Sequence, residues 1–202
     1  VTQVSASQRK RLRGHAEAAG IEIVGLHWLL AKTEGLHLTS PDAAVRTKTT
    51  EYLVELARFC RDLGGGVMVF GSPKQRNLLD GVSRDEGMKY AAQVLRDAMP
   101  EFAKLDVVLA LEPLSPGATN FLTTAAQAVE LAKMVDSPHC RLLLDCKAMI
   151  TESTPIPELI RTHHAWLAHF HANDPNLRGP GMGDLDFQPI FQALRDARFD
   201  GW

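Results

Sequence analysis

No stretch of the 202-residue sequence approaches the roughly 20 consecutive apolar residues that a membrane-spanning helix requires. Its start also lacks the basic-then-apolar pattern of a secretory signal. Cysteine is scarce: Cys60, Cys140 and Cys146 stand at spacings that form neither a disulfide framework nor a Cys-x-x-Cys metal knuckle. These absences predict a soluble chain of a reducing compartment, with the cytoplasm as its expected location. Charge of one sign is missing too. The formal net charge is −2, and the basic residues are scattered apart from the run Arg9, Lys10, Arg11, Arg13. A nucleic-acid surface needs a concentrated basic face, so neither nucleic acid nor membrane is an expected partner, and the early run reads as a solvated helix face.

What is present is enough apolar material, 45% of residues, for one well-buried core. A single domain over residues 1–202 is expected. The chain begins at Val1 rather than Met, and it stops at Trp202 just after the turn-like Asp200-Gly201, which predicts a cut at both ends. Ser5 and Gln8 have capping-box spacing ahead of a helix that Gly20 closes. The apolar stretch from Ile21 to Leu30 reads as a strand buried on both faces. The unit then recurs: helices over Pro41 to Leu63, Arg84 to Leu105, Thr124 to Val135, Pro157 to Trp166 and Phe187 to Ala197 alternate with strands at Val67 to Phe70, Val107 to Leu111, Arg141 to Leu144 and Leu167 to Phe170.

Strict alternation leaves two architectures, a doubly wound open sheet and a closed barrel, because parallel strands need helical crossovers. No Gly-x-Gly-x-x-Gly follows an early strand, so the open dinucleotide-binding sheet loses its marker. Successive strands instead end in His27, Ser72, Glu112, Asp145 and His171. Barrel enzymes assemble their sites from such strand ends at one mouth. The prediction is an α/β fold, a (β/α)₈ TIM barrel truncated at both ends with about five or six strands present. An open five-stranded sheet is the alternative.

Three of the strand-end residues are natural metal ligands. Glu112 follows Leu109-Ala110-Leu111 and precedes Pro113, Asp145 follows Leu142-Leu143-Leu144, and His171 closes Leu167-Ala168-His169-Phe170. Each alone could as well cap a helix or end a strand with a hydrogen bond; three in register favour one metal site. Oxygen and imidazole donors suit Mn²⁺, the first choice, with Mg²⁺, Co²⁺ or Zn²⁺ as alternatives. Cys146 should be packing.

The strings Leu109-Ala-Leu-Glu-Pro-Leu114, Leu143-Leu-Asp-Cys-Lys-Ala-Met149, His169-Phe-His-Ala-Asn-Asp174 and Gly181-Met-Gly-Asp184 resemble the xylose isomerase-like superfamily of sugar phosphate isomerases and epimerases. The likeness covers nearly the whole chain. It implies that Glu112, Asp145 and His171 bind one divalent metal, completed by a glutamate on a last strand past Trp202. It also implies an isomerase or epimerase of a small sugar, sugar phosphate or related hydroxy-carbonyl compound, working by proton transfer through a metal-stabilised enediolate, with Glu112 as one of two catalytic carboxylates.

Two positions depart from the pattern: family epimerases often carry Glu and His where this chain has Ala118 and Ala148. This weakens a ketose 3-epimerase reading, and Ala148 also removes a ligand that the family's abasic-site endonucleases need. A metal-dependent lyase or dehydratase and a noncatalytic sugar-binding barrel are the rival readings.

His27, Lys147, Asn173 and Arg178 are the candidate substrate-binding residues. Trp28 is either an apolar wall of the cleft or rim packing. Lys74 and Arg76, in Gly71-Ser72-Pro73-Lys74-Gln75-Arg76, either face an anionic substrate or belong to a solvated loop. His169 should line the barrel, and His15, His37, His139, His163 and His164 are expected at the surface. Assembly into a homo-oligomer stays open.

Overall fold

The computed structural model describes residues 3–202; Val1, the non-Met start, and Thr2 lie outside them. The elements run α1 (Ala6–Ala18), β1 (Gly25–His27), α2 (Ala43–Asp62), β2 (Val67–Phe70), α3 (Arg84–Leu105), β3 (Val108–Leu111), α4 (Ala125–Val135), β4 (Cys140–Asp145), α5 (Cys146–Met149), α6 (Ile156–His163), β5 (Leu167–His171) and α7 (Gln188–Asp196). Local chemistry explains the helix starts. Ser5 Oγ accepts the Gln8 N–H while the Gln8 side chain accepts the Ser5 N–H, and Ser83 and Glu86 repeat this box at α3. Asp106 and Asp136 end α3 and α4 in the left-handed region, at φ 51° and 55°.

All pairings are parallel, and the strand order is β1-β2-β3-β4-β5. Each strand lies beside its predecessor with no reversal of direction in the order, which is barrel winding; a doubly wound sheet has a switch point. The five strands form part of a TIM barrel. Their outward side chains, Met68, Phe70, Leu109, Leu111, Leu142 and Leu144, have no solvent exposure and pack with the helices. The opposite, concave side holds a smaller cluster of Val69, Ala110 and Leu143.

Three elements differ from the sequence reading. The first strand is three residues long rather than extending from Ile21 to Leu30: Ile21 is exposed, and Trp28 at φ 56° breaks the strand. Beyond it Leu29 and Leu30 turn into the core, where the Leu30 N–H donates to buried Ser72 Oγ at 3.1 Å. Ser72 is therefore a tie between two loops. The one-turn helix α5 is additional, because Asp145 caps it directly from β4. The helix expected over Pro157 to Trp166 divides into α6 and a 3₁₀ turn at His164–Trp166. Among the described residues no helix is long and apolar enough to cross a membrane. All three cysteines are free and buried.

Candidate metal centre

Glu112, Asp145 and His171 meet at the C-terminal ends of β3, β4 and β5. The ladder continues one step past β3, with the Glu112 N–H donating to the Phe70 carbonyl at 3.2 Å, and Pro113 then ends it. Asp145 is paired with His171 in the β4–β5 register. His171 Nδ1 lies 3.2 Å from Asp145 Oδ2 and 3.5 Å from Glu112 Oε1, and one ligand atom from each residue falls within a mutual 4.8 Å. The two carboxylates are 6% and 8% exposed. Among the described residues, His171 is the one chargeable nitrogen within ion-pair distance of either. Burial alone would push the His171 pKa down, but hydrogen bonds to Asp145 and Glu112 and the charges of both carry it up to about 9.

This donor set fits a divalent cation. Two nearly buried carboxylates facing one imidazole need positive charge to offset their lost hydration, and a proton on His171 supplies only part of it. The packing leaves space for the arrangement: a Cβ on Gly71 would stand 1.7 Å from Glu112 Oε2, so only glycine admits this carboxylate position. For Asp145 the two sequence readings hold together, since Oδ1 accepts the Ala148 N–H at 3.0 Å as the cap of α5 while Oδ2 faces His171. Cys146 points away into the core, its thiol pushed up to about 12 by burial and by the Asp145 charge.

The proposed substrate-binding residues are placed unequally. His27 is exposed at the end of β1 and lines, with His169 and His171, a concave cavity of about 300 Å³. Trp28 lies beside it, ring centroids 6.0 Å apart, and is 62% exposed. Asn173 is half-buried, and its Oδ1 has no partner among the described residues. Lys147 and Arg178 are exposed and take no part in the hydrogen bonds or ion pairs of the trio among the described residues.

Asp174, 2% exposed, organises the loop after β5. Its carboxylate accepts the N–H groups of Asn176 and Leu185 at 3.3 and 3.2 Å, and its backbone N–H donates to the Arg178 carbonyl at 2.8 Å. A Cβ on Gly183 would come within 2.0 Å of that carboxylate.

Three further residues neighbour the site; sequence reading placed His169 in the barrel lining, left Arg76 between a substrate contact and a solvated loop, and did not single out Gly71. Gly71 is one. His169 meets His171 edge to face at 5.2 Å, and burial, with the His171 charge, pushes its pKa down to about 4. The third is Arg76. Lys74 is exposed, as a solvated loop would have it, but Arg76 has no exposure at all. Burial lowers its pKa to about 10 against the attraction of Glu112, so it stays charged near neutrality. Three of the expected surface histidines, His37, His139 and His163, are half-buried, with His139 Nδ1 at 3.1 Å from the Val107 carbonyl.

Known proteins place this geometry in context. The D-psicose 3-epimerase of Enterocloster bolteae is 28% identical over 193 residues, 94% of this chain and 63% of its own length. A probable ketose 3-epimerase of Synechocystis sp. is 27% identical over 202 residues, 95% of this chain and 66% of its own. The chain thus spans just under two thirds of the length of these relatives. A crystal structure of D-psicose 3-epimerase from Clostridium cellulolyticum superposes with a TM-score of 0.87 at 23% identity, covering 98% of this chain and 68% of that one. The xylose isomerase-like TIM barrel model matches residues 1–202, and the chain belongs to that family.

Proposed function

We propose that residues 1–202 are one barrel domain of a divalent-metal-dependent sugar isomerase or epimerase, with Mn²⁺ as the preferred ion and a ketose or related hydroxy-carbonyl sugar as substrate. The observation that carries the reading is the trio of the nearly buried Glu112 and Asp145 with the half-buried His171, drawn together from three strands with their ligand atoms within 4.8 Å. Support for the reaction class comes from the relatives, whose names describe ketose 3-epimerases.

The chemistry such an ion supplies when bound is Lewis acidity toward neighbouring carbonyl and hydroxyl oxygens of the sugar, which acidifies the C–H between them. Glu112 is the carboxylate that takes or returns that proton. Asp145, fixed by its bond to the Ala148 N–H, and His171 orient the site. His27 and Asn173 reach the sugar from β1 and from the loop after β5, with Lys147 and Arg178 at the rim.

Metal content of the complete protein, measured by elemental analysis beside Glu112→Gln, Asp145→Asn and His171→Ala, tests the site. One ion per chain is expected in the parent and a large loss in each variant; undiminished metal in all three would sink it. Deuterium uptake from D₂O into a panel of ketoses tests the reaction. Metal without exchange would instead favour a noncatalytic sugar-binding barrel.

A further inference from the structure

Arg76, between β2 and α3, is the one Lys or Arg among the described residues with no solvent exposure. Its Nη1 donates to the Glu112 carbonyl at 2.7 Å and to the Phe70 carbonyl at 3.3 Å. The Phe70 carbonyl is also the acceptor of the Glu112 N–H. One guanidinium therefore grips both strand ends that form the Glu112 position: the end of β3 that bears the carboxylate, and the end of β2 whose next residue, Gly71, makes room for it.

Nε and Nη2 have no protein partner among the described residues, and no carboxylate lies within ion-pair distance. A buried guanidinium held only by carbonyl oxygens costs several kcal/mol, so a purely structural tie would be met more cheaply by a neutral donor such as Asn or Gln. Its positive charge has one nearby use, the buried carboxylate it stands behind.

We propose that Arg76 is a positioning residue of the metal centre, holding the backbone of Glu112 so that its carboxylate is fixed over Gly71 and aimed at His171. This rests on the reading of Glu112, Asp145 and His171 as metal ligands. The role differs from that of an anion-binding cation at the mouth, because Arg76 has no surface to offer a ligand. It also assigns the Gly71–Arg76 segment to the carboxylate rather than to substrate.

The test is the visible absorption spectrum and Co²⁺ affinity of the complete protein, with Arg76→Met and Arg76→Lys, folding being checked by circular dichroism. Support behind a ligand is commonly worth about 10–100-fold in metal affinity. Arg76→Met is expected to weaken Co²⁺ binding by at least that range and to shift the ligand-field bands. Arg76→Lys, which keeps the charge but replaces the planar guanidinium with a compact ammonium on a differently shaped stem, should recover part of the affinity with a spectrum still displaced.

A folded Arg76→Met protein with parental affinity and spectrum overturns the proposal and leaves the metal site standing. A parent protein that binds no Co²⁺ overturns the metal reading and this role with it. Should both variants fail to fold, isotope-labelled arginine NMR of the parent decides: the Arg76 side-chain resonance is expected to move on addition of Zn²⁺, and an unmoved resonance overturns the proposal.

Discussion

The two faces of the sheet are built on opposite terms. Outward, β2, β3 and β4 present Met68, Phe70, Leu109, Leu111, Leu142 and Leu144, each without exposure and covered by helices. Inward, the same strands carry the smaller Val69, Ala110 and Leu143, and the next inward position on each is Gly71, Glu112 and Asp145. The outward face spends its side chains on packing. The inward face stays small below and becomes polar at one end, where two carboxylates are kept close together at a cost in hydration that nearby positive charge must offset. Stability and metal binding should therefore be separable by face.

The largest effect is expected on the outward side. Leu111→Ala removes a fully buried side chain and leaves a cavity, so urea unfolding of the metal-free protein should show a loss of about 2–5 kcal/mol, with the metal stoichiometry of the folded fraction unchanged. Gly71→Ala is the inward counterpart. Its new Cβ would stand 1.7 Å from Glu112 Oε2, so the carboxylate must swing away. Metal affinity by titration calorimetry should fall by about 10–100-fold, while the metal-free stability falls by less than in Leu111→Ala. The division between faces would be broken by a Gly71→Ala protein that keeps its affinity but loses as much stability as the leucine variant.

The inward polar layer was readable because Glu112 and Asp145 each follow an unbroken apolar run, Leu109-Ala110-Leu111 and Leu142-Leu143-Leu144, and a charge there has no solvent to explain it. The same local logic misled at β1: Trp28 looks like a strand residue, yet its left-handed backbone ends the strand and returns Leu29 and Leu30 to the core. Arg76 was illegible for another reason. Its segment has the composition of a solvated loop, and its burial depends on carbonyls of Phe70 and Glu112, the latter 36 positions away in sequence. Asp174 stands three residues from His171 and resembles a further ligand, but its carboxylate is consumed by backbone N–H groups of its own loop. Periodicity reveals which face a residue occupies; whether a polar side chain there is already satisfied depends on contacts that a one-dimensional pattern does not carry.

A smaller effect sharpens the comparison within the inward face, where two adjacent histidines titrate in opposite directions. His171, held up to about 9 by its carboxylate partners against burial, binds its proton more tightly in the folded than in the unfolded chain, whose histidine value is 6.5. Its contribution to the metal-free protein is full below pH 6.5 and is lost as pH rises through about 9. His169, pushed down to about 4 by burial and by His171, behaves inversely: the unfolded chain takes up its proton first, so stability falls as pH drops from 6.5 toward 4. Together the pair should give the metal-free protein a stability maximum near pH 6.5 in urea midpoints. His171→Gln should remove the alkaline limb, and saturating metal should do the same to the parent, since an ion held by His171 would take the place of its proton. Midpoints that stay flat from pH 6.5 to 9 in the metal-free parent would mean that His171 does not sit protonated between Glu112 and Asp145, and the opposed titration of the two histidines would be lost.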